Sequence, residues 1–458
     1  MRTGRVIVSV LFVVAALVAG CSSADEPAGP AVQGSWRGDI EVPGQPIGIG
    51  VSFAEDGSAT IDIPVQGVRA AALKDVRTEP DRIEFTIPDA PGAPGFQGKL
   101  DGERIIGDWV QSGEKVPLTL ERGVIEDVTR PQDPTPPYPY RSEDVTYRNG
   151  DITIAGTLTT PEGSGPFPAM VMITGSGPQD RDEDLMGHRP FKLLADTFTR
   201  AGYAVLRTDD RGVGGTGGVL DDATYDDLAA DVVAGIGFLR ARPEIDPAKV
   251  GLFGHSEGGY LAPLVAARPD SDVAFAVLMA GPSVGGAEVL IEQNKVIMAA
   301  AGSPQNEIDE QVRYVTEWTE LLRAGDTEGA KAYTQQHNDS LPEGERAPQS
   351  AVDSFNTAYM ASFITYDPEP ALQALRVPVL AFFGGTDQQV PAAQNEQPMR
   401  DHLAAGPDAT VHTFPGLNHL MQPSATGKPS EYSSIETTID PAVSTYVTDW
   451  LTQHIPPR

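Results

Sequence analysis

The chain has 458 residues, 64 of them acidic against 33 basic, and a formal charge of −31. A chain so acidic repels phosphate backbones and anionic headgroups, which excludes nucleic acid as a partner and adsorption to a membrane through a basic surface. The length suits two or three domains, and a single cysteine rules out an intramolecular disulfide.

At the N-terminus Arg2 and Arg5 precede an apolar run, Val6 to Ala19, too short for a comfortable membrane span. Residues 1–20 read as a signal peptide. The run Leu17-Val18-Ala19-Gly20-Cys21 resembles the lipobox of bacterial lipoproteins. That resemblance implies cleavage before Cys21, lipid on its sulfur and new N-terminus, and a cell-membrane attachment on the extracytoplasmic side. Residues 21–32 are small, polar and proline-containing, as a tether should be.

Residues 33–123 read as a small antiparallel β domain. Ile47 to Phe53, Thr60 to Pro64, Arg82 to Ile87, Ile105 to Val110 and Val116 to Leu120 are short β-branched or alternating runs, separated by glycine and proline turns. A sheet or small barrel of six to eight strands is expected, with Trp36 and Trp109 as core anchors. No catalytic constellation lies here, and ligand binding and a packing or spacer role both stay open. Residues 124–141 contain Arg130-Pro-Gln-Asp-Pro-Thr-Pro-Pro-Tyr-Pro-Tyr140, which reads as a semi-rigid, extended linker.

From 142 to 458 strands and helices alternate, the pattern of an α/β domain with a parallel sheet. Strands are expected at Ile152 to Thr159 (an antiparallel edge), Ala169 to Ile173, Ala204 to Arg207, Val250 to Phe253, Phe275 to Met279, Val377 to Phe383 and Thr410 to Phe414. Helices fit Phe191 to Ala201, Tyr225 to Ala241, Gly258 to Ala267 and Thr438 to His454. Between them, at about 281–375, apolar residues recur at i, i+3, i+4 and mark a helical cap. Met298, Trp318, Phe355, Tyr359, Met360 and Phe363 are its candidates for pocket lining or simple core.

The chemistry concentrates at Gly254-His255-Ser256-Glu257-Gly258-Gly259, which follows the short run Val250 to Phe253. A serine on a tight strand-to-helix turn has its hydroxyl pushed into a cleft, and the next backbone N–H groups can hold an oxyanion. Small residues at Gly254 and Gly258 let the turn close. A serine hydroxyl needs a histidine base, and the base needs an orienting carboxylate. Asp387 lies on the loop after Val377 to Phe383, and His419 on the loop after Thr410 to Phe414, in the order Ser, Asp, His. Among seven histidines, His419 alone has both the order and the setting. Asp367 is the competing acid, but it precedes its strand and initiates a turn. Glu257 is expected to supply one oxyanion N–H, and Ser176 or Gly177, after the strand Ala169 to Ile173, the second. Arg181 and its neighbouring acids read as an ion-pair knot, with substrate contact as the alternative.

Together these motifs resemble EstD-like bacterial carboxylesterases, α/β-hydrolases related to the acyl-CoA thioesterase and bile-acid acyltransferase group. The likeness covers about 142–452 and rests on Gly175 to Glu183, Arg207 to Gly215, Gly254 to Gly259, Tyr366 to Leu372, Gly385 to Pro391, Gly416 to Leu420 and Gly427 to Tyr432. It implies an α/β-hydrolase fold with a helical cap, with Ser256 as nucleophile, His419 as base and Asp387 as acid. It implies hydrolysis of small, short-acyl esters with no metal or cofactor. Acyl transfer or peptide hydrolysis by the same triad is the alternative. Thr174 stands where many α/β-hydrolases have histidine before the oxyanion glycine. The oligomeric state stays open.

Overall fold

The computed structural model describes residues 32–40, 47–64, 68–88, 94–111, 114–126, 130–342 and 346–457. The signal peptide, Cys21 and nearly all of the tether lie outside them. The chain divides into two compact units.

The described residues of the first unit fall within 32–63, 68–125 and 334–355. Its strands are β1 Gly34–Ile40, β2 Ile47–Phe53, β3 Ala59–Ile63, β4 Val68–Ala72, β5 Lys74–Glu79, β6 Arg82–Thr86, β7 Gly95–Asp101, β8 Arg104–Gln111 and β9 Glu114–Arg122. They form one antiparallel sheet in the order β4-β3-β2-β1-β9-β8-β7-β6-β5. β4 and β5 stand at opposite ends of that order, yet only Leu73 separates them in the chain. The sheet must therefore curl until its two edges meet, as in a barrel. Trp36, Val51, Ile61, Phe85, Phe96, Ile105 and Leu120 fill its core. Among the described residues this sheet has nine strands, not six to eight. β5, Lys-Asp-Val-Arg-Thr-Glu, has no fully buried residue, so its polar sequence hides a strand that backbone pairing creates. β7 is similarly disguised by two glycines.

The second unit holds an eight-stranded sheet. Its strands are β10 Tyr140–Asn149, β11 Ile152–Pro161, β12 Phe167–Ile173, β13 Ala204–Thr208, β14 Ile245–His255, β15 Ala276–Met279, β16 Val379–Gly384 and β17 Ala409–Phe414. The order is β10-β11-β13-β12-β14-β15-β16-β17, parallel from β13 onward. Ile152 to Thr159 was expected at the edge, but β10 takes that place and pairs along all ten of its residues with β11. Its exposed Arg141, Ser142, Glu143 and Asp144 mask the pattern. Helices α1 Pro190–Arg200, α2 Tyr225–Arg240, α3 Gly258–Ala266, α10 Ala392–Leu403 and α11 Pro441–His454 accompany the sheet. Phe191, Phe198, Phe253, Phe275, Val447 and Leu451 belong to one buried cluster.

The chain between β15 and β16 forms α4 Gly286–Ala301, α5 Gln305–Arg323, α6 Thr327–Ser340, α7 Gln349–Ser354, α8 Ala358–Thr365 and α9 Glu369–Ala374. Residues 334–355, expected with the cap, group with the first unit. The proline-rich segment is anchored at its start. The buried Arg130 guanidinium donates to the carbonyls of Ile435 (2.9 Å), Met186 (2.7 Å) and Ser433 (3.0 Å), which fastens the segment to the second unit. Among the described residues no helix is long and apolar enough to cross a membrane.

Candidate active site

Strand order reverses at β12, whose successor β13 lies on one side and β14 on the other. Ligands of open α/β sheets bind at such a switch point, beyond the carboxyl ends of the strands. The loop after β12 and the turn after β14 both sit there.

β14 ends at His255 and α3 begins at Gly258, so Ser256 and Glu257 make the turn. Ser256 adopts φ +52°, a left-handed conformation that costs a non-glycine residue about 1–3 kcal/mol. Its N–H donates to Met279 O at 2.9 Å, and its carbonyl accepts from Gly259 N at 2.8 Å. The flanking glycines are required by close approach. A Cβ on Gly254 would lie 2.1 Å from Gly258 O, and one on Gly258 would lie 2.2 Å from Ile173 O. The turn thus rests directly on the end of β12. A Cβ on Gly175 would come within 3.4 Å of the Ser256 Cβ, which puts the β12 loop beside the serine.

His419 Nδ1 and Asp387 Oδ2 are 2.8 Å apart, with side chains 5% and 0% exposed. Asp387 Oδ1 accepts from the backbone N–H groups of Gln389 (2.7 Å) and Val390 (3.0 Å). With Nδ1 donating to Asp387, the neutral imidazole keeps Nε2 as its proton acceptor. His255, next to the serine, holds the His419 loop. Its Nε2 lies 3.3 Å from His419 O, and the two rings are 4.9 Å apart.

The β12 loop, Thr174 to Gly177, is fastened at several points. Gly175 N–H donates to Glu183 Oε1 (2.8 Å), and Gly177 N–H to Tyr359 Oη (2.9 Å). Thr174 Oγ1 donates to Asp210, which also accepts from Gln179 N–H. Of the two candidates for the second oxyanion donor, Gly177 is already engaged. Ser176 N–H has no hydrogen-bond partner among the described residues, and neither does Glu257 N–H.

The side chains of Glu183, Asp210 and Tyr225 matter here without having been singled out, and those of Glu257 and Tyr359 take roles beyond those expected of them. Glu183 binds both Gly175 N–H and His255 Nδ1, the latter at 2.8 Å. Burial opposes charge on His255, but the Glu183 carboxylate more than offsets it and the net shift is upward. Glu257 accepts from the phenols of Tyr225 (2.6 Å) and Tyr359. Burial pushes its carboxyl up to about 7 despite those two donors. A cavity of about 60 Å³ lies beneath the β12 loop, lined in part by Asp210, Glu257 and Tyr359. Glu183 stood within a motif read as a knot around Arg181 or a substrate contact, with no role of its own. Arg181 in fact pairs with Asp209 (2.6 Å) and Asp144 (3.1 Å), not with its sequence neighbours. Tyr225 lies at a helix start and carries no sequence signal of a site.

The other candidates are engaged elsewhere. Asp367 caps Glu369 N–H at 3.0 Å. His188 is buried against Thr438 and Tyr432 O, and burial lowers its pKa to about 4. His412, in β17, stacks on Tyr446 of α11, and His454 meets Asp408. Among the described residues no group of three or more His, Cys, Asp or Glu is arranged to hold a metal ion.

The sheet order and the strand-to-helix turn at its switch point define an α/β-hydrolase. The chain belongs to the family described as serine aminopeptidase, S33, which matches residues 189–422, a little over half of its length. It is 27% identical over 278 residues to Esterase EstD of Thermotoga maritima, a match covering 60% of each chain. Among solved structures it is similar to a Pyrococcus furiosus esterase at 15% identity and a TM-score of 0.44, covering 73% of this chain and all of that one. Est1E of Butyrivibrio proteoclasticus, solved with ferulic acid bound, is similar at 16% identity and a TM-score of 0.42, covering 68% and 99%.

Proposed function

We propose that the protein is a serine esterase that cleaves small carboxylic esters through an acyl-enzyme at Ser256. The observation that carries this reading is the buried Asp387–His419 pair; the left-handed Ser256 on its strand-to-helix turn and the unengaged N–H groups of Glu257 and Ser176 support it. His419 Nε2 takes the proton from Ser256 as its Oγ attacks the ester carbonyl. Asp387 keeps Nδ1 protonated and stabilises the imidazolium. The N–H groups of Glu257 and Ser176 receive the oxyanion, each worth about 3 kcal/mol in the transition state. His419 then protonates the leaving alkoxide. Water, activated by the same imidazole, releases the acid and regenerates Ser256.

The likeness to Esterase EstD supports an ester over an amide, and short acyl chains are proposed with it. The family description favours amide hydrolysis at a peptide N-terminus as the second reading. We propose that the enzyme works outside the cytoplasmic membrane, held by lipid on Cys21, which the Leu17 to Cys21 run supports. The test treats the protein with a fluorophosphonate and locates the adduct by mass spectrometry. p-Nitrophenyl esters of rising chain length and aminoacyl p-nitroanilides run alongside. The proposal expects an adduct on Ser256, turnover of short esters, and loss of both in Ser256→Ala. Turnover of the anilides alone would install the second reading, and undiminished esterase activity in Ser256→Ala would remove the triad.

A further inference from the structure

The β12 loop carries three consecutive backbone N–H groups at Gly175, Ser176 and Gly177. Two are engaged by side chains, one from Glu183 eight residues on and one from Tyr359 182 residues from Gly177, and the middle one is open. An oxyanion donor must point at a place where charge develops, and it gains from being held there before the reaction starts. Glu183 fixes the loop on one side of Ser176. On the other side the fixing atom is a phenol oxygen from α8, a cap helix.

Tyr359 is wholly committed to that task. Its side chain is buried. The Oη accepts from Gly177 N–H at 2.9 Å and donates its own proton to Glu257 Oε2. A phenol has one proton and accepts readily through its lone pairs, so both bonds form at once with no conflict. Glu257 is the residue whose backbone N–H is the other unengaged donor. Its second carboxyl oxygen is held by Tyr225 at 2.6 Å. One phenol oxygen therefore bridges the two halves of the oxyanion site, the β12 loop and the turn that carries Ser256. The main chain at Tyr359 is itself tied down, with its N–H on Asp221 O at 3.2 Å. α8 also packs against α2, α4 and α5.

We infer that Tyr359 is a positioning residue that sets the oxyanion site from the cap, so that the site is complete only when α8 is seated. This rests on the esterase reading above. It makes α8 more than a wall of the substrate pocket, because lifting the helix withdraws the acceptor from Gly177 and frees the loop around Ser176. The reaction is then disabled while the cap is open, even though Ser256, His419 and Asp387 stay in place.

Tyr359→Phe keeps the ring and removes the oxygen. The full chain, purified in mild detergent, is assayed with p-nitrophenyl acetate, and hydrogen–deuterium exchange is followed in the peptide covering 174–179. The inference expects kcat to fall tenfold or more with KM within about twofold, and exchange in that peptide to speed up. Tyr225→Phe is the control, since it also takes one hydrogen bond from Glu257 but none from the loop. It should lose far less rate and leave exchange at 174–179 as in the wild type. A second variant puts 4-aminophenylalanine in place of Tyr359, which keeps a donor for Glu257 while removing most of the acceptor for Gly177. It should match Tyr359→Phe in rate and exchange, and it serves if the phenylalanine variant does not fold. Unchanged kcat, unchanged exchange, or equal losses in the Tyr225 and Tyr359 variants would overturn the inference. Fluorophosphonate labelling of the wild type is read separately. If Ser256 takes no adduct the esterase reading fails, whereas the exchange comparison still reports whether Tyr359 holds the loop.

Discussion

Replacing Gly258 by alanine tests the geometry of the nucleophile turn with one methyl group. The added Cβ would lie 2.2 Å from Ile173 O and 2.8 Å from Thr174 O. Both are backbone atoms at the end of a central strand, so no flexible side chain can yield. Relief to ordinary contact needs a displacement of about 1 Å, and the lighter partner is the turn itself. Overpacking of this kind costs about 1–3 kcal/mol, or several degrees of melting temperature. The rate should suffer more. Ser256 and Glu257 N–H move with the turn while Ser176 stays with β12, and a misplacement of about 1 Å lowers kcat about a hundredfold. The assay pairs the rate of fluorophosphonate labelling with kcat on p-nitrophenyl acetate and a thermal melt. The expected variant folds, melts a few degrees lower, and loses labelling rate and kcat in parallel. Both rates within about threefold of wild type would refute the close packing of turn against strand.

Asp387→Asn should lower kcat by about four orders of magnitude while the protein stays folded, because the amide no longer fixes the Nδ1-protonated tautomer of His419. A loss under about tenfold would mean that another acid orients the base. Glu257 folds with its pKa pushed up from 4.5 to about 7, so the native state binds that proton more tightly than the unfolded chain. Its contribution to stability is fully present below about 4.5 and is lost as pH rises to about 7, about 3 kcal/mol over that window. Glu257→Gln abolishes that titration. The unfolding free energy of wild type minus variant should therefore fall by about 3 kcal/mol between pH 4.5 and 7.5, and a constant difference would refute the burial argument.

Much of the second unit was legible because local pattern and burial agree. Val250 to Phe253 and Val377 to Phe383 are apolar runs, and both are buried central strands. The helices at 190–200, 225–240 and 441–454 fall within a few residues of their expected bounds. β5 and β10 were missed for the opposite reason: their outward side chains are polar, and only pairing with a neighbour makes them strands. Asp387 and His419 lie after strands β16 and β17, as their sequence places suggest, and the structure sets them 2.8 Å apart. Which N–H of the β12 loop is open was not legible, because that depends on Tyr359, which lies 182 residues from Gly177. Nor did the sequence show that Glu183 serves His255 and Gly175 at once, since its spacing to either carries no periodic pattern.

The clasp at Arg130 has a consequence for how this chain is made. Its guanidinium bonds Ser433 and Ile435, 303 and 305 residues further on. Closing a loop of that length costs about 5 kcal/mol in chain entropy beyond a fixed constant. Arg130 leaves an exit tunnel long before Ser433 and Ile435 exist, so for most of synthesis the Met186 carbonyl is its one available acceptor of the three and the segment before β10 lacks its other two fastenings. The clasp can shut only after the last strand is in place, making it a late step in folding. A chain released short of residue 433 would lack Ser433 and Ile435, two of the three carbonyls that fasten Arg130. Such fragments should present a looser proline-rich strap to a protease than the finished chain, in which Arg130 pins it.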